Sequence, residues 1–235
     1  MKFQFVYPHL WVRHLRLRRA LASYPLYDVP HKNSERDLPE ASVRENFDYF
    51  MSSKSQRLSY LTEWLWKHFR VKITFDPQGI ETLSHWMDNF AGGLTAGEMN
   101  DRYAFETYKP LWVGQLAGHN AIIDIGTFIG EYVIARRPGY YWDIYRGHLE
   151  EEATFCGPGY LRPTISGLPR GWKAGVITNT FRAAMDYRKA SLIGATKSDK
   201  VPGRIISIIK SVLYMARASD ETLPFIFGDS NNEPL

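Results

Sequence analysis

The chain has 235 residues, 44% of them apolar and 14% aromatic, and a formal net charge of +4. That length and apolar content suit one large, folded, soluble domain, and no run of about eighteen apolar residues exists to span a bilayer. Residues 1–32 hold six basic side chains against one acidic one, a net +5 that leaves the remainder near −1, so the body gives no reason to expect a nucleic-acid surface.

The segment 1–41 reads as a basic N-terminal arm and linker. Its helix pattern, WVRHLRLRRAL, can align Leu10, Leu17 and Leu21 on one stripe, with Arg13, Arg16, Arg18 and Arg19 spread over other faces. Such a helix either packs through its leucines or lies on an anionic surface. Residues 28–41, DVPHKNSERDLPEA, have the proline and charge content of a linker.

An α+β domain is expected over 42–218. Two helices open it, at about 42–53 and 55–69, with Val43, Phe47 and Phe50 and then Leu58, Leu61, Leu65 and Phe69 facing inward. Val71 to Phe75 alternates as a short strand. Asp76 and Pro77 then supply a side-chain cap and a first-turn proline, Ile80, Leu83, Met87 and Phe90 mark the buried face, and Gly92 and Gly93 stop the helix. Residues 94–117, with Pro110, Trp112 and Gly114, read as short helices and loop.

Residues 120–147, NAIIDIGTFIGEYVIARRPGYYWDIYRG, organise the rest. Ile122, Ile125, Ile129 and Val133 recur at helical spacing, so one side of a helix should be buried. Gly126 and Gly130 stand one turn apart. A glycine inside a helix costs about 1 kcal/mol relative to alanine, so the pair points to close approach by another backbone or a large ring. Pro138 and Gly139 end the helix, and the aromatic-rich Tyr140 to Tyr145 follows as a strand, with Trp142 facing opposite to Tyr141 and Tyr145. Asp124 and Glu131 share a helix face about 10 Å apart by helical rise.

After an acidic turn at Glu150 to Glu152, a second strand is expected over Tyr160 to Ser166, antiparallel to the first because a short connection allows little else. A helix follows at about 179–190. The last helix starts after Pro202 and buries Ile205, Ile209, Val212 and Ala216; from Ser219 to residue 235 the chain reads as a polar tail around Phe225 to Phe227. The fold class is therefore a helix-rich α+β single domain around a small, mainly antiparallel sheet.

Catalytic signatures are missing from the sequence. No two of the seven histidines stand three or four residues apart, so no metal site is expected; neither a nucleophile elbow nor a phosphate-binding or dinucleotide loop is present, and no cofactor is expected. His119 and His148 flank the central helix and strand and could meet in space. Cys156, the only cysteine, excludes a disulfide within the chain, reads as an inert thiol in a turn, and fits a reducing compartment.

The pieces NFDYFMSSKSQRLSYLTEWL, ITFDPQGIETLSHWM and AIIDIGTFIGEYVIARRPGYYWDI resemble the corresponding units of uncharacterised bacterial α+β proteins, some of them found beside secreted toxins. The likeness runs over about residues 43–168 and is most specific at a DxGxxxGE helix-strand unit, matched here by Asp124, Gly126, Gly130, Glu131 and Trp142. It implies an α+β fold and no established activity. The expectation is a cytoplasmic, non-enzymatic protein that binds a protein partner, immunity-like toward a toxin, through Asp124, Glu131, Trp142 and Asp143. One alternative is a nucleic-acid or anionic-surface binder using Arg13, Arg16, Arg18 and Arg19; a second is a hydrolase using Asp124 and Glu131.

Overall fold

The structure, a computed structural model, describes residues 8–33, 35–95, 117–147, 159–192 and 202–215. In chain order it runs α1 (Pro8–Leu21), α2 (Glu40–Phe69), α3 (Pro77–Phe90), α4 (Ala117–Arg136), β1 (Tyr141–Ile144), β2 (Pro163–Ser166), α5 (Val176–Leu192) and α6 (Arg204–Met215). This is a helix-rich α+β fold around a two-stranded antiparallel sheet. Among the described residues no helix is long and apolar enough to cross a membrane.

The expected break between 53 and 55 does not occur. α2 runs unbroken for 30 residues, because serine-rich sequence without glycine or proline need not end a helix. Ser52 and Ser53 donate back to the Tyr49 and Phe50 carbonyls, and Ser59 and Thr62 donate likewise to the Ser55 and Ser59 carbonyls. Continuity places Lys54 and Arg57 in mid-helix, where both reach α4. The helix ends on Arg70, at φ 60°, whose N–H turns back to the Leu65 and Trp66 carbonyls.

Val71 to Phe75 is not a strand. It crosses from α2 to α3 without a ladder among the described residues; Ile73 is buried, and Phe75 stacks on Phe128 with centroids 4.5 Å apart. α3 starts as expected, the Asp76 carboxylate accepting the Gly79 N–H at 2.7 Å. Ile80, Leu83 and Met87 are buried, and Phe90 joins an aromatic cluster with Trp64, Phe69 and Trp86.

α1 packs on the body through Leu17, Ala20 and Leu21, all buried. Arg16 donates twice to the His68 carbonyl, at 2.9 and 2.6 Å, and Trp64 donates to the Ala20 carbonyl. Beyond α1 the chain stays buried through Tyr24, Tyr27 and Val29, with Tyr24 in the same core and Leu38 packed against it, so part of the stretch with linker-like composition is buried structure.

α4 lies at the centre, packed against α2, α5 and α6. Its burial is nearly all-round rather than one-sided: Ile122, Ile125, Phe128, Ile129 and Val133 are inaccessible, and so are Asn120, Asp124 and Thr127. β1 and β2 pair with Trp142 opposite Ile165 and Tyr141 opposite Ser166. Trp142 and Ile144 face the core while Tyr141 is 55% exposed, following the strand's alternation. α5 begins three residues earlier than expected, and α6 buries Ile205, Ile209 and Val212 as the spacing predicts.

Candidate functional site

Asp124 is wholly buried in mid-α4 and accepts four hydrogen bonds. Tyr24 donates to Oδ2 and Tyr27 to Oδ1, both at 2.6 Å; Arg57 reaches the same oxygens through Nη2 at 2.5 Å and Nε at 3.1 Å. The Arg57 side chain is 4% exposed, its Nη1 donates to the Pro25 carbonyl, and its guanidinium lies 4.1 Å from the Tyr27 ring centroid. One carboxylate thus ties together α4, α2 and the segment after α1. Burial raises the Asp124 carboxyl above its ordinary range, with Arg57 and the two tyrosines working against that rise, since all four donors favour the charged form. Burial followed by the Asp124 charge pushes the Tyr24 hydroxyl well up.

Glu131, seven residues on, also turns toward α2. Its Oε1 accepts from Lys54 Nζ at 2.7 Å and from the Trp142 indole N–H at 2.6 Å, and the carboxylate side chain keeps 27% exposure. The two helix glycines explain the fit around it. A methyl group at Gly130 would stand 2.2 Å from Trp142 Cζ2, and one at Gly126 would stand 2.7 Å from the Ile177 Cα. The glycine spacing predicts approach by a backbone or a large ring, and each glycine meets one of the two. Gly130→Ala should therefore lose about 1–3 kcal/mol to overpacking even after the gain in helix propensity. Urea denaturation checks this, and adding Trp142→Phe should return part of the loss.

Trp142 is 6% exposed and Asp124 0%, so neither offers a partner any appreciable surface. Their placement corrects the expectation that all four candidates form one accessible patch. Asp143, on the opposite face of β1, is the outward member. Its Oδ2 accepts from Lys173 Nζ at 2.9 Å and Ser166 Oγ at 3.1 Å, and its Oδ1 accepts the Ile144 N–H at 2.8 Å. Partial burial would raise its carboxyl, but Lys173 and these donors outweigh burial and hold it below the usual carboxylate range. Arg146 extends the cluster to Glu40 at 2.5 Å. Tyr141, 55% exposed, pairs with Ser166 at the edge of this sheet, and Trp172, 43% exposed, precedes Lys173 in the chain.

Arg13, Arg16, Arg18 and Arg19 all lie exposed on α1, with Arg16 committed to the His68 carbonyl. His119 is buried, edge-on to Phe181 at 5.2 Å, and burial together with the nearby Arg162 charge lowers its pKa to about 4. Its suggested neighbour His148 lies outside the described residues, as do Cys156, Trp112, Glu150 to Glu152, Ala216 and the tail from Ser219. No group of three or more His, Cys, Asp or Glu that could hold a metal ion occurs among the described residues.

Tyr24, Tyr27 and Arg57 are not among the residues that stand out in the sequence. They sit 100, 97 and 67 residues from Asp124, and no local pattern links them. An arginine on the apolar face of α2, in line with Leu61 and Leu65, was the available signal. No family model, curated protein or solved structure matches the chain.

Proposed function

We propose that this chain is a non-enzymatic protein that binds a protein partner, and that it is an immunity-type protein neutralising a cognate bacterial toxin in the cytoplasm. The observation that carries the reading is the outer face of the sheet. Exposed Tyr141 shares that face with the Asp143–Lys173 pair, exposed Trp172 is the chain neighbour of Lys173, and the inner face of the same sheet is clamped on α4 through Trp142. Rigid aromatic anchors beside paired charges are what protein interfaces use. The interior acids support it from the other side: Asp124 is sealed by Arg57 and two tyrosines, which takes away the shared pocket that an Asp124–Glu131 hydrolase needs.

The test is co-expression with the product of the neighbouring open reading frame, followed by affinity measurement. Tyr141→Ser with Trp172→Ser should weaken binding at least a hundredfold, about 2.7 kcal/mol, and leave the melting temperature unchanged. Unchanged affinity in that double variant would remove the surface from the proposal.

A second reading is favoured by α1. Its buried face is Leu17, Ala20 and Leu21, and Arg13, Arg18 and Arg19 carry no ion pair among the described residues. Such a helix suits an anionic surface or nucleic acid. Binding to duplex DNA whose logarithmic salt slope is about −3, as expected for roughly three neutralised phosphates, would favour it.

A further inference from the structure

A half-open cavity of about 80 Å³ lies beneath the segment that leads from α1 to α2. Its inner wall is apolar: Phe47 and Phe50 from α2, Ile123 from α4 and Ile177 from α5, with the Tyr27 ring alongside. Polar groups gather among the remaining lining residues, where Arg162 pairs with Glu35 at 3.0 Å and His31 meets Asn46. We propose that this cavity is a binding site for a small, uncharged, single-ring ligand carrying one hydrogen-bonding substituent.

An apolar hollow forfeits dispersion contacts, so an unsupported segment above it would settle inward. This one is held off by its own backbone bonds. Tyr27 N–H donates to Asn120 Oδ1 at 3.0 Å, Asp28 N–H to the Tyr49 hydroxyl at 3.0 Å, and His31 exchanges N–H and C=O bonds with the Asn46 side chain at 3.0 and 2.9 Å. The cavity is therefore fixed by the same residues that span it.

Size and charge set the ligand class. An enclosed apolar cavity of about 150 Å³ holds benzene; this one is smaller but open on one side, so a ring can enter with its substituent left toward the mouth. Nucleotides and multi-ring cofactors are too large. A carboxylate or ammonium ligand would have to break the Arg162–Glu35 pair, because each charge there is already matched. Aromatic rings around the wall favour an aromatic guest.

Phenol is the probe, titrated into the full chain and followed by NMR at the Ile123 and Ile177 methyl groups, with benzoate as the charged comparator. Saturable phenol shifts at both methyls are expected, with benzoate at least tenfold weaker. Ile123→Phe, which fills the cavity from α4, should reduce phenol affinity at least tenfold. Absence of saturable shifts, benzoate binding as well as phenol, or undiminished phenol binding by folded Ile123→Phe would overturn the proposal. Should Ile123→Phe not fold, ligand-to-methyl Overhauser contacts in the wild-type chain decide it: their presence at Ile123 and Ile177 supports the site and their absence overturns it. Partner binding does not enter this experiment, so its outcome is separate from that of the proposed interface.

Discussion

Replacing Arg57 by methionine should destabilise the protein by about 3–5 kcal/mol, a large part of the roughly 5–15 kcal/mol that holds a typical domain folded. The size follows from what is left behind. Asp124 would remain at 0% exposure with two tyrosine hydroxyls and no counter-charge, and a buried carboxylate without its partner must either stay charged at high cost or take up a proton. Lost packing of the guanidinium over the Tyr27 ring adds a smaller term. Chemical denaturation measures the loss. Asp124→Asn should lose a comparable amount, since it strands Arg57 instead, with a side chain only 4% exposed. A loss below about 1 kcal/mol in either variant would show that the pair is not a structural tie.

Acid should weaken the fold through His119 by roughly 3 kcal/mol between pH 6.5 and 4. The folded pKa is about 4, against 6.5 for an ordinary histidine. Between those values the unfolded chain binds a proton that the folded chain refuses, so stability rises with pH across that window. The contribution is complete above pH 6.5 and is lost as pH falls toward 4. Burial is the main cause, and the positive charge of Arg162 adds to it. His119→Leu removes the titration and keeps an apolar side chain against Phe181. Denaturation from pH 7 to 4 should then show the wild type losing about 3 kcal/mol more than the variant, with carboxylate effects common to both cancelling. Parallel pH profiles would refute the assignment.

Much of the fold was legible because its signals are local. Asp76 with Pro77 marked the start of α3, and the spacing of Ile205, Ile209 and Val212 marked α6. The glycine pair signalled close approach, which the Trp142 ring makes at Gly130 and the Ile177 backbone at Gly126. Errors arose where tertiary context overrode composition. The boundary expected between 53 and 55 is absent, and Ser52 and Ser53 bond back to helix carbonyls within α2. Val71 to Phe75 has strand-like alternation, but no neighbouring strand exists among the described residues to pair with it. Charge and proline in residues 28–41 hid how the preceding Tyr24 and Tyr27 are drawn inward by a carboxylate nearly a hundred residues away.

The conspicuous side chains of α4 and β1 stood out in the sequence, but neither their directions nor their distant partners Tyr24, Tyr27, Arg57 and Lys173 did. Asp124, Glu131 and Trp142 are unusual in sequence; Asp124 and Trp142 are sealed by internal bonds, while Glu131 and Asp143 keep 27% and 29% side-chain exposure, Asp143 on the outer sheet face. A helix wheel cannot distinguish a surface acid from one whose arginine arrives on another helix. That distinction moves the proposed interface from α4 to Tyr141, Asp143, Trp172 and Lys173.

The double-mutant cycle between Asp124→Asn and Arg57→Met, read as unfolding free energy, tests most directly whether the conspicuous acid of α4 serves the interior. If it does, the double variant will be at least about 2 kcal/mol more stable than the two single losses added together. Additivity within about 0.5 kcal/mol would mean the two side chains do not depend on each other, and Asp124 would again be a candidate for contact with something outside the fold.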